Sequence, residues 1–427
     1  MPESKAVVRP ARSIQGSLRL PGDKSISHRY AMLAAIAQGP TRLTNFSTGA
    51  DCASTLACLK GLGVLWTRNG DEFAIEGGTL TAPAAPLDCG NSGSTMRMLS
   101  GILAAQNFTS HLTGDASLSR RPMSRIITPL ELMGAAITAS DDGRPPLEIR
   151  GAALHGFAYK MPVASAQVKS CLLFAGLLAH GETAVEEPVR TRDHSELALR
   201  AFGAQIQRRG NECRITGQQQ LHGIEANIPG DISTAAFFLC AAGLFPGSQL
   251  VVSGLLLNPT RARLLDVLIR MGMTISVAQV DEAHGELVGT VQAEGKTLLG
   301  GTISGAETAS LIDEIPVLAA IAPFTQEGIE IRDARELRVK ESDRIASLAR
   351  NLRAMGAKLE EREDGLRIPG GQTLRGAEID SFGDHRIAMA FAIAALRAEG
   401  ETTIRNAEAA AVSYPAFFDV LEQLSQR

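Results

Sequence analysis

The order of apolar and polar residues predicts two kinds of helix that alternate along the chain. The first kind is amphipathic, with apolar residues at helical spacing. It ends in a pattern of five positions: a large apolar residue, Gly, a small or apolar residue, any residue, and an apolar residue. This five-residue pattern occurs at 62–66, 133–137, 202–206, 271–275 and 355–359. The Gly is expected to end each helix in a left-handed conformation, and the alternating residues after it suit a strand.

The second kind of predicted helix is almost wholly apolar, and each one is followed by a Gly-rich turn and a strand. These helices are predicted at 29–38, 96–105, 168–179, 235–245, 315–323 and 387–396. A helix that is apolar on every side must be enclosed, and these stretches are too short to cross a bilayer. We therefore expect an α/β fold with buried helices inside and sheets outside.

Both patterns recur at a spacing of about 70 residues, so the chain divides into six similar units. A length of 427 residues exceeds what one hydrophobic core normally supports and suits two domains. Two domains of three units each follow, with a boundary near Pro229-Gly230-Asp231, where the third unit ends.

The residues that begin the apolar helices are polar, Gly-rich or charged. These starts are 22–29, 90–97, 165–169, 230–233, 313–316 and 383–386. A helix N-terminus offers unpaired N–H groups and the positive end of the helix dipole, which suit phosphate or carboxylate. Ser and Asp there can be ordinary N-caps, the interpretation we prefer for Asp231 and Ser233. Cations in a first turn oppose the dipole unless an anion binds there. The cations in question are Lys24, Arg29, Arg97 and Arg386.

Two further basic clusters lie outside these helices, at Arg120-Arg121-Pro122 and at 335–344. The second cluster interleaves Glu341 and Asp343 with its cations, and residues 340–344 taken alone have the character of a solvated helix face. Together with the charged helix starts, however, the clusters favour a cleft that binds several phosphate or carboxylate groups.

Carboxylates able to act as acid or base lie beside these cations in the sequence. They are Asp313, Glu341 and Asp384.

Composition and motifs narrow the function classes. The 42 Lys and Arg against 46 Asp and Glu give a formal charge of −4, which offers no general reason to bind duplex nucleic acid or anionic membranes. The charged N-terminal residues and the lack of a long apolar run favour a cytoplasmic protein. The six cysteines form no Cys-x-x-Cys pair, so we expect buried reduced thiols and neither zinc nor disulfides. Nucleoside triphosphate loops, dinucleotide fingerprints, zinc-protease motifs and serine-hydrolase motifs do not occur.

Seven segments, in the same order, resemble the 5-enolpyruvylshikimate-3-phosphate synthase family of enolpyruvyl transferases. They are 20–29, 90–97, 121–122, 165–167, 313–314, 338–344 and 383–386. The similarity extends over essentially the whole chain. It implies two similar domains, each of three βαβαββ repeats around buried parallel helices whose N-termini face an interdomain cleft. It also implies a second chain crossing near Leu20-Pro21-Gly22, so that residues 21–230 form one domain and residues 1–20 plus 231–427 form the other.

The resemblance implies transfer of the enolpyruvyl group of phosphoenolpyruvate to the 5-hydroxyl of shikimate 3-phosphate in aromatic amino acid biosynthesis. The hydroxyl attacks C2 while C3 is protonated, and the tetrahedral intermediate then expels phosphate. Asp313 would take the hydroxyl proton and Glu341 would serve C3, with Lys24 and His385 assisting. We expect no cofactor or metal, no nucleic-acid or membrane partner, and a monomer.

The resemblance also implies two sets of binding residues. Shikimate 3-phosphate would be held by Lys24, Ser25, Arg29, Ser165, Ala166, Gln167, Arg192, Asp313 and Lys340. Phosphoenolpyruvate would be held by Lys24, Gly93, Arg121, Gln167, Arg344 and Arg386. Some members have Ser-Ser-Gln where this chain has Ser165-Ala166-Gln167, so one phosphate donor is missing; Arg192 is our first candidate substitute and Lys169 a weaker one. Gly93 leaves space beside the phosphoenolpyruvate site, so we expect the herbicide glyphosate to compete with phosphoenolpyruvate.

Three alternative functions stay open at this point. A UDP-N-acetylglucosamine enolpyruvyl transferase shares the implied fold, but it typically has Lys-Asn where this chain has Lys24-Ser25, and a Cys in a mobile loop. An RNA-end-processing protein can be built from similar repeats, but the chain has no basic excess and only 4% aromatic residues for stacking. A noncatalytic anion-binding relative could lose Asp313 or Glu341, whereas this chain has both.

Overall fold

The computed structural model describes residues 4–140 and 142–427, which fold into two compact units. The central unit comprises Gly22–Ile228 and Glu282–Glu286. The terminal unit comprises the described residues of Met1–Pro21 together with Pro229–Asp281 and Leu287–Arg427. Residues 282–286 were predicted to belong to the other domain, because no repeat pattern marks the place where the chain returns to the central unit.

The central unit is built from three repeats of one pairing scheme. Its helices are α1 (Lys24–Ile36), α2 (Ala50–Gly61), α3 (Gly93–Leu103), α4 (Ser124–Leu132), α5 (Ala166–Leu178) and α6 (His194–Ala201), with a 3-10 turn at Leu118–Arg120. Its sheets, in order of neighbouring strands, are Glu225–Asn227, Pro40–Thr44, Glu72–Glu76, Leu65–Asn69; Leu87–Asp88, Thr109–Thr113, Leu147–Arg150, Ala136–Thr138; and Ala158–Lys160, Glu182–Glu186, Glu212–Thr216, Ile206–Arg209. In each sheet the first pair is parallel and the other two pairs are antiparallel.

The terminal unit has the same alternation of helices and sheets. Its helices are α7 (Ile232–Gly243), α8 (Arg263–Arg270), α9 (Ala306–Ser310), α10 (Ile315–Ile321), α11 (Arg344–Ala354), α12 (His385–Ala395) and α13 (Phe417–Leu424), with 3-10 turns at Ala322–Phe324, Arg335–Val339 and Ala407–Val412. Its sheets are Thr274–Ala283, Glu286–Glu294, Gln249–Leu256, Ser13–Arg19, Ser425–Gln426; Gly301–Ile303, Ile329–Ile331, Gly365–Ile368, Glu360–Arg362; and Lys5–Val8, Thr402–Arg405, Glu378–Asp380.

The predicted alternation of buried and amphipathic helices is confirmed. Helices α1, α3, α5, α7, α10 and α12 are buried along most of their length, and the amphipathic helices α2, α4, α6, α8, α11 and α13 follow them in turn. The five pattern glycines have positive φ angles: Gly63 at 86°, Gly134 at 112°, Gly203 at 95°, Gly272 at 104° and Gly356 at 89°. This left-handed conformation, which glycine adopts at little cost, turns the chain from helix to strand. Within the described residues, no helix combines the length and the apolar character needed to cross a membrane.

Most buried helices begin earlier than the apolar pattern predicted. Helix α1 begins at Lys24 and α3 at Gly93, because Asp23 and Ser92 each accept a hydrogen bond from the backbone N–H three residues later. Three further caps follow the same principle: Ser165 on α5, Asp231 on α7 and Asp384 on α12. Lys24 and Arg386 therefore lie in first turns, where the unpaired N–H groups and the positive dipole end are found. The prediction is wrong for Arg29 and Arg97, the sixth residue of α1 and the fifth of α3, because the earlier helix starts place both in the second turn.

Candidate active site

Side-chain hydrogen bonds join the first turns of α3 and α5 in the central unit. Arg97 donates from Nη1 to Gln167 Oε1 at 2.7 Å, and Gln167 donates from Nε2 to Ser94 Oγ at 2.9 Å. Both ends of the Gln167 amide are thus fixed, and this amide was predicted to contact substrate. Arg97 was predicted as a helix-start cation but not as a ligand of either substrate.

Gly93 and Arg121, two of the predicted phosphoenolpyruvate ligands, lie together at the start of α3. A Cβ atom on Gly93 would be 2.8 Å from Arg97 Nη1 and 3.2 Å from Arg121 Nη1. Buried Arg121 is held by Asn91 Oδ1 at 2.6 Å and by Ser117 Oγ at 3.2 Å. Two guanidinium groups therefore lie near the positive end of the α3 dipole, an arrangement that favours an anion there.

Lys24, in the first turn of α1, forms an ion pair with Asp51 of α2, with Nζ and Oδ2 2.9 Å apart. No sequence motif marked Asp51. On the same helix His28 is fully buried, and its Nδ1 lies 2.7 Å from Thr55 Oγ1. Burial, followed by the charges of Lys24 and Arg29, lowers the pKa of His28 well below its usual value.

Arg29, a predicted ligand of shikimate 3-phosphate, is only 3% exposed. Its Nε donates to Ser195 Oγ and its Nη2 to Ser170 Oγ, both at 2.7 Å, and its Nη1 donates to the carbonyl oxygen of Ser25 at 2.8 Å. These three partners are neutral, so these bonds fix the guanidinium without cancelling its charge. Ser170 and Ser195 were not among the predicted site residues, since they lie 141 and 166 residues from Arg29.

Lys169 is wrong as a substitute for the missing phosphate donor. It is completely buried, and its Nζ lies 3.0 Å from Glu187 Oε2 and 2.9 Å from Glu196 Oε1. Arg208 contacts the same two carboxylates at 3.1 and 2.6 Å. Glu187, Glu196 and Cys213 are close enough together to ligate a metal ion, but these two cations already balance the carboxylates.

Arg192 is half-buried and lies two residues before the start of α6. Ser165, the cap of α5, accepts from the N–H of Val168 at 3.4 Å, and Ala166 is the first residue of that helix. Ser165 and Ala166 thus lie at a helix N-terminus, whose free N–H groups suit the phosphate that the sequence analysis assigned to them.

Arg344 is the centre of the corresponding cluster in the terminal unit. It is 1% exposed, and its Nε and Nη2 contact the two carboxylate oxygens of Asp384 at 2.8 and 3.2 Å. Its Nη2 also donates to Glu341 Oε2 at 2.6 Å. Burial opposes the charge of Arg344, but Asp384 and Glu341 outweigh it and raise its pKa above the usual value. The alternative interpretation of residues 340–344 as a solvated face is therefore wrong for Arg344.

Asp313, just before α10, lies between two arginines of the same unit. Its Oδ1 is 3.6 Å from Arg344 Nη1 and 3.7 Å from Arg386 Nε, and its carbonyl oxygen accepts from Arg386 Nη1 at 2.7 Å. Burial lowers the pKa of Lys340; the Asp313 carboxylate opposes this shift and the Arg344 charge adds to it. His385, the first residue of α12, is buried, and its Nδ1 lies 3.9 Å from Asp384 Oδ1, beyond hydrogen-bond distance.

Ser233 does more than the N-cap role expected of it. Asp231 is the cap of α7 and accepts from the N–H groups of Ser233 and Thr234, as predicted. The Ser233 hydroxyl, however, donates to Glu314 and accepts from Arg261 Nη2 at 2.6 Å. This contact ties α7 to the residue that follows Asp313, and no motif indicated it.

The two clusters differ in chemistry. The central unit presents cations, amides and hydroxyls at helix N-termini, groups that bind anions, and its Asp51 carboxylate is paired with Lys24. The terminal unit adds carboxylates, Asp313 and Glu341, in contact with arginines, and carboxylates can transfer protons.

Comparison with known proteins identifies the relatives of this chain. The family model described as EPSP synthase (3-phosphoshikimate 1-carboxyvinyltransferase) matches residues 8–421. A 3-phosphoshikimate 1-carboxyvinyltransferase of Koribacter versatilis is 61% identical over 98% of this chain and 99% of its own, and one of Solibacter usitatus is 56% identical with the same coverage. A solved structure of EPSP synthase from Acinetobacter baumannii has a TM-score of 0.87 and 41% identity, over 99% of this chain and 98% of that one.

Proposed function

The chain belongs to the EPSP synthase family, and from this premise we propose which of its residues carry out the family's reaction. The enzyme transfers the enolpyruvyl group of phosphoenolpyruvate to the 5-hydroxyl of shikimate 3-phosphate and releases phosphate, in aromatic amino acid biosynthesis. None of the three alternatives, UDP-N-acetylglucosamine enolpyruvyl transfer, RNA-end processing and noncatalytic anion binding, is favoured by these relatives.

The observation that carries the assignment of roles is the Asp313 carboxylate between Arg344 and Arg386, with Glu341 bonded to Arg344. We propose that Asp313 takes the proton of the 5-hydroxyl while the hydroxyl oxygen forms a bond to C2 of phosphoenolpyruvate. At the same time Glu341, in its protonated form, gives a proton to C3. In the second step Glu341 takes a proton back from C3, the C2–oxygen bond to phosphate breaks, and Asp313 returns its proton to the leaving phosphate. Proton transfer by positioned carboxylates suits both steps.

The cations bind the anionic groups of the substrates. We propose that phosphoenolpyruvate is held by Lys24, Gly93, Arg121, Gln167, Arg344 and Arg386. Glu341 now accepts a hydrogen bond from Arg344 Nη2. When the substrate carboxylate binds Arg344 and replaces Glu341 as the acceptor, Glu341 becomes free to carry the proton for C3. Positive groups fixed in advance also stabilise the charge that develops as phosphate leaves.

Shikimate 3-phosphate is held by a second set of groups. We propose Ser25, Arg29, Ser165, Ala166, Gln167, Arg192, Asp313 and Lys340, with Lys24 and His385 assisting the chemistry. The N–H groups at the start of α5 receive the 3-phosphate. Arg192 replaces the hydroxyl that Ala166 lacks, since Lys169 is committed to Glu187 and Glu196. The cytoplasmic location and the monomeric state stay predictions from the sequence.

The function is tested by phosphate release from the pure protein. Phosphate is expected only when shikimate 3-phosphate and phosphoenolpyruvate are both present, because the leaving group departs only from the tetrahedral intermediate. Each substrate alone is the control. A folded preparation that releases no phosphate from the pair, or that releases it from phosphoenolpyruvate alone, would contradict the assignment.

Replacing Gly93 by Ala is expected to raise the KM for phosphoenolpyruvate several-fold. The new methyl group would meet Arg97 Nη1 at 2.8 Å and Arg121 Nη1 at 3.2 Å, so both guanidinium groups must shift. Glyphosate is expected to compete with phosphoenolpyruvate in the wild type and to inhibit the variant less. Initial rates at varied phosphoenolpyruvate and glyphosate measure both effects.

The matched control is Gly78→Ala, because a Cβ on the exposed Gly78 meets no atom within 4 Å. This variant should keep the wild-type KM and inhibition. Unchanged rates in millimolar glyphosate at limiting phosphoenolpyruvate would refute the competition, and an unchanged KM in Gly93→Ala would separate Gly93 from the site.

A further inference from the structure

The first turn of α6 contains three consecutive polar residues, His194, Ser195 and Glu196, and each is only 1% exposed. Consecutive residues of a helix point about 100° apart, so the three side chains face different neighbours. His194 Nδ1 lies 2.6 Å from Glu286 Oε1, and Glu196 is bonded to Lys169. The contacts of the flanking residues therefore fix Ser195 from two sides.

Ser195 and Ser170 bind one edge of the Arg29 guanidinium. Nε donates to Ser195 Oγ and Nη2 to Ser170 Oγ, both at 2.7 Å, and the two hydroxyl oxygens are 2.6 Å apart. Ser170 also donates to the carbonyl oxygen of Ala166 at 2.6 Å. Because Ser170 has a single hydroxyl proton, the proton between the two serines comes from Ser195. The pair thus receives two parallel N–H groups, as a carboxylate would, but without a negative charge.

This geometry links Arg29 to the helix start that is proposed to receive the 3-phosphate. The chain of bonds runs from Arg29 through Ser195 and Ser170 to the carbonyl of Ala166, in the first turn of α5. A carboxylate at the position of the serines would hold the guanidinium equally well, but it would neutralise the charge that an anionic substrate needs. Neutral hydroxyls satisfy the buried N–H groups and add no negative charge of their own.

We propose that Ser195 is a positioning residue, which aims the Arg29 guanidinium at shikimate 3-phosphate and does not itself touch the substrate. The proposal rests on the proposed function, in which Arg29 binds that substrate. It assigns to α6, which carries no part of the seven motifs, a role in substrate affinity.

The test is Ser195→Ala. The KM for shikimate 3-phosphate should rise about tenfold, the expected effect of losing a hydrogen bond to a charged group. The kcat and the KM for phosphoenolpyruvate should stay within about twofold, because the groups of the chemical step are unchanged. Ser195→Thr keeps the hydroxyl and should restore the wild-type KM. Ser100→Ala is the matched control, since Ser100 is equally buried in α3 and its hydroxyl donates to the carbonyl oxygen of Met96 in the same helix.

A double-mutant cycle shows whether the effect passes through Arg29. Lys in place of Arg29 lacks the forked N–H pair, so adding Ser195→Ala to Arg29→Lys should not raise the KM further. Additive effects would overturn the proposal. So would an unchanged KM for shikimate 3-phosphate, or an equal loss for both substrates accompanied by a lower melting temperature.

Two further measurements keep the outcome decisive. If Ser195→Ala does not fold, Ser170→Ala removes the partner of Nη2 and must show the same selective rise. Calorimetric binding of shikimate 3-phosphate alone separates this proposal from the proposed function. Weaker binding in the variant supports positioning even if no phosphate is released, whereas a wild type that does not bind this substrate defeats the function itself.

Discussion

Replacing Asp313 by Asn is expected to slow phosphate release by about a thousandfold, within the range for loss of a general base. The amide keeps the size of the side chain, but it cannot take the proton of the 5-hydroxyl. The loss should appear in kcat, because the cations proposed to bind the substrates are retained. Single-turnover phosphate release with both substrates at saturation measures it directly.

The control for this variant is Asp266→Asn. Asp266 is an exposed carboxylate on α8 of the same unit, and it is 3.0 Å from Arg263. Its loss should leave the rate unchanged. The Asp313 variant should keep most of its stability, because Asn matches Asp in size and its side-chain oxygen can still accept a hydrogen bond. A folded Asp313→Asn protein with more than a tenth of the wild-type rate would show that another group takes the proton.

The repeated architecture could be predicted because its determinants are local. The left-handed glycines, such as Gly63 and Gly356, end helices through the conformation of one residue. Cations such as Lys24 and Arg386 stood out because they oppose the dipole of their own helix. Both features are visible within one turn of sequence.

Contacts between distant elements could not be predicted in the same way. Asp51 pairs with Lys24, and Ser195 binds Arg29. Both residues lie on amphipathic helices, whose polar side chains are expected from the sequence to face solvent. Arg344 shows the same limit, because alternating charge in 340–344 does not reveal which residue is enclosed. Only the packing of α11 against α12 brings Asp384 to Arg344.

Arg344→Met is expected to lower the free energy of unfolding by about 3–5 kcal/mol and to abolish turnover. The variant leaves Asp384, which is completely buried, without its charged partner, and breaking a buried pair in this way has that cost. It also removes a proposed ligand of phosphoenolpyruvate. Urea unfolding and phosphate release measure the two effects. Arg353→Met is the control, because Arg353 lies on the same helix with its side chain 51% exposed and should contribute little.

Adding Asp384→Asn to Arg344→Met should recover much of the stability but none of the activity. Asn removes the unpaired charge, and its side-chain oxygen can still accept the N–H of Arg386 and cap α12. The two effects can then be told apart. The loss in the free energy of unfolding comes from the unpaired Asp384 carboxylate, and the loss of turnover comes from the missing Arg344 guanidinium. If the double variant regains turnover, Arg344 does not bind phosphoenolpyruvate. If the double variant stays as unstable as the single variant, the buried charge of Asp384 is not the cause of the lower free energy of unfolding.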